Sequence, residues 1–175
     1  MAEVIPPQAY AVTKEAGAIY NALAESSEYA AVMQSISFID TSLKALLLHH
    51  FKKGRTSKDL LDPIGGVLGS FKAKCDVAYS LDLLSRKVKQ DLDHLGQIRN
   101  RFAHSYLTIN FREPKIAKLC DQLNCPDVFL ETLIDKDNVE ELRDDLRLSA
   151  RIRFNVGVMS IVDLLVQMIA DEGSV

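Results

Sequence analysis

Apolar residues recur at spacings of three and four along most of this chain, which is the spacing of one face of an α-helix. The repeat is clear in residues 27–51, where Val32, Ile36, Ile39 and Leu43 follow it. No segment sustains the alternation of apolar and polar residues that is typical of a half-buried strand. The pattern therefore predicts an all-α fold, a single-domain helical bundle of about six or seven helices with a long C-terminal helix.

Turn formers and capping residues set the limits of the predicted helices. Two prolines near the N-terminus make residues 1–12 a flexible tail, and one helical domain is expected over residues 13–172. Ser85 stands where it can cap the central helix, and Asp137 where it can cap the last one. The predicted helices cover residues 13–24, 27–51, 67–83, 85–104, 115–123, 127–134 and 137–170.

The last predicted helix is apolar on several sides between Phe154 and Ile169. Such a helix is either the centre of its own bundle or buried between subunits, and we expect a homodimer or higher oligomer. Asn155, Asp163 and Gln167 interrupt the apolar run. The segment is therefore too polar to span a bilayer, and no membrane location is expected.

The charge balance argues against a protein that is drawn as a whole to nucleic acid. The 175 residues include 21 Lys and Arg against 24 Asp and Glu, a net charge of -3. No helix-turn-helix pattern with an exposed basic recognition helix is evident, so direct DNA binding is doubtful.

Cysteine and histidine spacing gives no support for a metal site. The three cysteines are odd in number and lack zinc spacing, which indicates reduced thiols in a cytoplasmic protein, with a Cys120–Cys125 disulfide as the alternative. The four histidines lack partners at i,i+3 or i,i+4, so no metal and no cofactor is predicted.

A basic segment follows the second predicted helix. It contains Lys52, Lys53, Arg55 and Lys58 around a glycine, which is typical of a solvated loop. The alternative interpretation is a basic patch that contacts phosphate groups of a binding partner.

The central predicted helix carries a charge on its apolar side. Leu95 and Phe102 lie with other apolar residues on one arc at about 100° per residue, and Arg99 falls on the same arc. A guanidinium among core residues cannot lose its proton, so it requires a partner. We predict a structural role for Arg99, paired with Asp40 of the second helix or, alternatively, with Asp76.

The same helix offers one catalytic interpretation, metal-independent cleavage of RNA. His104 would transfer the proton, Arg99 would neutralise charge developing on the phosphate, and Asn100 would orient either group. Arg99 and His104 lie about 140° apart on a straight helix. They can converge only if the helix ends near Phe102 or if two subunits contribute.

Two motifs occur in order along the chain. The first is Asp62–Phe71 (DPIGGVLGSF), running on through Ala78 and Tyr79, and the second is Ile98–His104 (IRNRFAH). Together they resemble the mannitol operon repressor (MltR) family, and the similarity extends from the second helix to the final one. The resemblance implies an all-helical bacterial transcriptional regulator of mannitol uptake and utilisation genes. Without a recognition helix, we expect it to act through a protein partner, either the transcription machinery or another regulator. The alternative is a dimer that joins two small basic patches.

This chain departs from the family at one turn. It has Asp82 where the family carries a glycine after the first motif, so we expect the turn between the two helices to differ.

The second motif also resembles another group of proteins. Arg99, Asn100 and His104 match the arginine-to-histidine signature of HEPN domains, which are helical bundles, often dimeric, and in some members ribonucleases. This resemblance implies the alternative function, a metal-independent endoribonuclease that uses Arg99 and His104.

Overall fold

The computed structural model describes residues 18, 19, 21, 23, 25–105, 109–125 and 149–172. Within these ranges the chain is all-α and contains no strand, as predicted. The helices are α1 (Glu28–His50), α2 (Arg55–Leu60), α3 (Phe71–Ser80), α4 (Arg86–His104), α5 (Pro114–Asp121) and α6 (Ala150–Glu172). The five described residues before Ser26 are also helical, in agreement with a helix over 13–24. The predicted tail 1–12, the helix 127–134 and the first part of the last helix lie outside the described residues.

The core is formed by α1, α4 and α6, with α3 and α5 packed on either side. α1 contacts α6, α4 and α3, while α5 contacts α4 and α6. The predicted apolar arc of α4 is confirmed, because Leu92, Leu95, Ile98 and Phe102 are all fully buried. The long final helix is confirmed as well, and its buried face includes Phe154.

Side-chain caps begin most of these helices, as the sequence suggests. The hydroxyl of Ser85 accepts a hydrogen bond from the backbone N–H of Val88 at 3.3 Å and so satisfies one of the free donors at the start of α4. Ser27 and Ser70 cap α1 and α3 in the same way. The start of α4 is therefore confirmed.

Two predicted boundaries are wrong. Residues 52–58 are not one loop, because α2 begins at Arg55, and the Ser57 hydroxyl donates to the carbonyl of Lys52. The helix predicted over 67–83 begins only at Phe71. The preceding turn is packed so closely that a Cβ atom on Gly66 or Gly69 would collide with backbone carbonyls, so local packing overrides the apolar periodicity there.

Asp82 ends α3 in a left-handed conformation. Its φ is 57°, and the N–H of Leu83 donates to the carbonyl of Ala78 at 3.0 Å. This is the helix end that glycine usually forms, here made with an aspartate.

Two helices, α1 and α6, are long and apolar enough to cross a membrane when judged by length and composition only. They pack against each other, and their apolar residues fill the core. A buried core helix has the same composition as a membrane span, so the composition of α1 and α6 is explained by their place in the bundle.

Candidate functional site

The three residues of the candidate catalytic motif all lie at the C-terminal end of α4. Arg99, Asn100 and His104 are exposed, and the helix continues to His104, with Ser105 as its C-cap. Because α4 does not end at Phe102, Arg99 and His104 keep the angular separation of about 140° that they have on a straight helix. One of the two routes by which Arg99 and His104 could meet is therefore removed.

Two open grooves meet at this end of α4. The first, of about 1450 Å³, lies between α1, α3 and α4, and Arg99 and Asn100 line it. The second, of about 880 Å³, lies between the end of α4 and the residues before α5, and Asn100 and His104 line it. Arg99 and His104 thus line different grooves of one chain, and Asn100 borders both.

The predicted Arg99–Asp40 pair is wrong. Arg99 is exposed and donates from Nη1 to Oδ1 of Asn100 at 3.1 Å. Its aliphatic stem extends from the apolar arc, and the guanidinium at its end reaches water. The partner of Asp40 is Lys74, whose Nζ lies 2.9 Å from Asp40 Oδ1. The alternative partner, Asp76, pairs with two lysines instead.

Lys74 is the buried cation that sequence reasoning missed. Only 1% of its side chain is exposed, and its Nζ also donates to the carbonyl of Gly69 at 2.7 Å. The signal was present in the sequence, because Lys74 lies three residues after Phe71 and four before Ala78 on the apolar side of α3. Its ion pair holds the turn before α3 against α1.

A network of alternating charges joins α3 to α4. Lys89 Nζ lies 2.6 Å from Asp93 and 3.0 Å from Asp76, and Lys72 also contacts both carboxylates. The hydrogen bond from Lys72, together with that from Lys89, lowers the pKa of Asp76. Burial alone would lower the pKa of Lys89, but hydrogen bonds to the two aspartates outweigh it and raise that pKa. The two cations and two anions neutralise each other, which fits a structural clamp.

Two further buried charges hold the end of α5, and sequence reasoning missed both. Asp91 is fully buried, and its carboxylate accepts hydrogen bonds from the backbone N–H groups of Asn124 and Cys125. Arg153 of α6 donates to the carbonyls of Cys120 and Leu123 from the other side. Both residues bond backbone that is about 30 positions away in the chain, which no local pattern reveals.

The three cysteines are free thiols, as predicted, and all are buried. Burial raises the pKa of Cys75 and of Cys120 to about 12. Burial also raises the pKa of Cys125, and the adjacent Asp91 raises it further. Neutral thiols in an apolar setting are poor nucleophiles and poor metal ligands. No group of three His, Cys, Asp or Glu residues suited to a metal ion occurs in the described part of the chain.

The predicted basic patch is exposed but only partly unpaired. Arg55 forms an i,i+4 ion pair with Asp59, with Nε 3.4 Å from the carboxylate. Lys52, Lys53 and Lys58 are exposed and have no ionic partner among the described residues.

Comparison with known proteins identifies the fold. No family model matches this chain, and no curated protein matches it. It is similar to a chain in the X-ray structure of the MtlR–HPr complex from Escherichia coli, with a TM-score of 0.64 and 15% identity over 86% of this chain and 97% of that one. It is also similar to YggD, a possible transcriptional regulator from Shigella flexneri, with a TM-score of 0.63 and 13% identity over 87% and 97% of the two chains. The chain therefore has an MltR-like fold, as the resemblance in its two motifs implied.

Proposed function

We propose that this protein is a bacterial transcriptional regulator of the mannitol operon repressor type that acts by binding another protein. The observation that carries the proposal is the shared fold, which covers nearly the whole length of two regulator chains. One of those chains comes from a complex with the protein HPr. Likeness of fold alone does not transfer a partner, so the proposal for this chain needs its own test.

The charge distribution supports action through a protein rather than by reading DNA. The net charge is -3, whereas DNA-reading domains are usually basic. The exposed lysines form one small patch on α2, a helix of six residues, and on the segment just before it. Such a patch adds a few phosphate contacts but no base-reading element. We place the protein in the cytoplasm, where transcription and its regulators are found.

The test combines transcription with binding. Deletion of the gene is expected to raise mannitol-transport transcripts in cells grown without mannitol. Reintroduction of the intact gene is expected to lower them again. Calorimetry with the HPr of the same organism then measures one candidate partner directly. Transcripts that are unchanged by the deletion, with and without mannitol, would remove the proposed function.

The proposal includes a homodimer or higher oligomer. Val156, Met159, Leu164 and Val166 of α6 are only half-buried in the single chain, so they offer apolar surface to a second copy. Light scattering at micromolar concentration is expected to give a mass above that of the 19.5 kDa chain. Detection of the 19.5 kDa monomer alone would contradict the proposed oligomer.

A second candidate is the metal-independent ribonuclease, and the exposure of Arg99, Asn100 and His104 favours it. Residues that the core does not use are free to contact a substrate. Since Arg99 and His104 line different grooves, this function requires a second subunit to complete the site. Purified protein incubated with mixed RNA in EDTA tests it. RNA that stays intact over hours excludes the candidate.

A further inference from the structure

The polar part of the lining of the second groove is rich in hydrogen-bond donors. Its polar lining includes Arg101, His104 and Arg112, together with Asn100 and Asn110. All five are exposed, and neither arginine has an ionic partner among the described residues. We call this surface the donor groove.

The amide oxygen of each asparagine in the donor groove already accepts one hydrogen bond. Oδ1 of Asn100 accepts from the Arg99 guanidinium at 3.1 Å, and Oδ1 of Asn110 accepts from the backbone N–H of Arg112 at 2.9 Å. A guanidinium and a backbone N–H can only donate, so the orientation of each amide is determined. Each side chain keeps two N–H donors and one acceptor position on its oxygen.

The one carboxylate at the donor groove is also engaged. Oε2 of Glu113 accepts from the N–H of Ile116 at 3.0 Å, since Glu113 is the N-cap of α5. The other side-chain acceptors of the lining are neutral groups, which include the amide of Gln97, the hydroxyl of Ser105 and the imidazole of His104. Two arginines therefore face a single acidic side chain that already caps a helix, and a ligand with oxyanions fits this balance.

The two arginines are held in place by the core beneath them. Arg101 precedes Phe102, Arg112 follows Phe111, and the two rings pack with centroids 5.5 Å apart. The N–H of Phe111 also donates to Glu28 of α1 at 2.8 Å. The backbone of both arginines is thus fixed before a ligand arrives, which lowers the entropy cost of binding.

The lining favours carboxylates of a protein over a nucleic acid. Single-stranded RNA is usually held by aromatic side chains that stack on the bases. Phe, Tyr and Trp are absent from the described lining of the donor groove. An arginine pairs with a carboxylate through two parallel hydrogen bonds, and two adjacent arginines suit two acidic side chains.

The geometry points to the donor groove as the docking site for an acidic segment of a protein partner, with its Asp and Glu side chains bound by Arg101 and Arg112. This inference rests on the proposed function, since it names the surface and the chemistry by which a partner binds. It differs from the ribonuclease candidate because it needs neither Arg99 as a ligand-binding group nor a second subunit.

The experiment uses the full chain labelled with ¹⁵N and titrated with hexaglutamate, with hexaglutamine as the neutral control peptide. The groove variant is Arg101→Gln with Arg112→Gln. The matched control is Arg86→Gln with Lys87→Gln, which removes the same charge from the exposed far end of α4. Hexaglutamate is expected to shift signals of the donor groove, and its Kd is expected to rise about tenfold in the groove variant, as for the loss of two exposed ion pairs. The control variant is expected to bind within about twofold of the wild type.

Four results would overturn the inference. Hexaglutamate that shifts no groove signal would mean that the donor groove does not bind carboxylates. Equal weakening in both variants would mean that binding follows net charge only. Tighter binding of hexauridylate at the same signals would make the surface a nucleic-acid groove. A protein partner through which this chain regulates transcription could bind the groove variant as tightly as the wild type. In that case the donor groove is not the docking site, while the proposed function stands.

Discussion

Lys74 and Asp40 form the ion pair that joins α3 to α1, with Nζ and Oδ1 2.9 Å apart. The lysine is 1% exposed and the aspartate 33%, so the pair lies at the edge of the core with its cation inside. A buried cation is tolerated when its donors are satisfied, and the carbonyl of Gly69 takes a second hydrogen bond from Nζ. The pair therefore secures the turn that holds Gly66 and Gly69.

Removing the anion of this pair should destabilise the fold. Asp40→Ala leaves the Lys74 charge with one carbonyl, which is expected to cost up to roughly 3–5 kcal/mol of unfolding free energy. Urea denaturation measures the change. Asp59→Ala is the matched control. Among the described residues Asp59 is paired only with Arg55 on the surface, so its loss should cost less than about 1 kcal/mol. Equal losses in the two variants would contradict the structural role of Asp40.

The helical periodicity alone predicts most of the described fold. α1 and α4 were predicted within a residue of their ends, since long apolar repeats and serine caps specify them. The same pattern predicts less well which charged residues are buried. The pattern marked Arg99 as buried because a helical wheel locates Cα atoms, whereas a long side chain reaches water from the edge of an apolar arc. Lys74 occupies a similar arc but lies between α3 and α1, so its charge stays inside.

Asp91 is a case that sequence reasoning could not resolve, because its partners are set only by tertiary packing. Asp91→Ala is expected to leave the N–H groups of Asn124 and Cys125 unpaired, at about 1–3 kcal/mol for the buried donor of Cys125 and less for the part-buried donor of Asn124. Thermal unfolding followed by circular dichroism measures the loss. Asp121→Asn, which neutralises an exposed carboxylate at the end of α5, should change little. A near-native Asp91→Ala would show that the 122–125 turn is held by other contacts.

Glycine at position 82 should stabilise the protein. Asp82 has a φ of 57°, a conformation that costs an L-residue roughly 1–2 kcal/mol and glycine almost nothing. The gain is partly offset by the greater freedom of glycine in the unfolded chain, so Asp82→Gly is expected to gain about 0.5–1 kcal/mol. That corresponds to a Tm higher by about 1–4 °C. Asp82→Ala tests whether the backbone conformation causes the change. Alanine tolerates this φ less well, so this substitution should lower the Tm. A lower Tm for the glycine variant would contradict the argument.

Arg99 and His104 should be dispensable for stability. Both side chains are exposed, and Arg99 bonds only its neighbour Asn100 among the described residues. Arg99→Ala and His104→Ala are each expected to unfold within about 0.5 kcal/mol of the wild type. Urea denaturation measures the unfolding free energy of both variants, with Asp40→Ala measured in parallel for comparison. A loss in Arg99→Ala as large as that in Asp40→Ala would restore the buried-pair prediction that the structure contradicts.

The buried thiols should be unreactive in the native protein and reactive once it unfolds. With a pKa of about 12, Cys75 and Cys120 are ionised in roughly one molecule in ten thousand near pH 8, against about a quarter of an exposed thiol. A disulfide reagent at that pH is expected to label all three cysteines slowly in buffer and fully within minutes in guanidinium chloride. Asp91→Asn should speed labelling of Cys125, because it weakens the acceptor that holds the Cys125 backbone, while Cys75 on α3 keeps its native rate. Rates for Cys125 and Cys75 that rise together would mean that the substitution unfolds the whole domain. A native thiol that reacts as fast as the unfolded one would contradict the burial on which the argument depends.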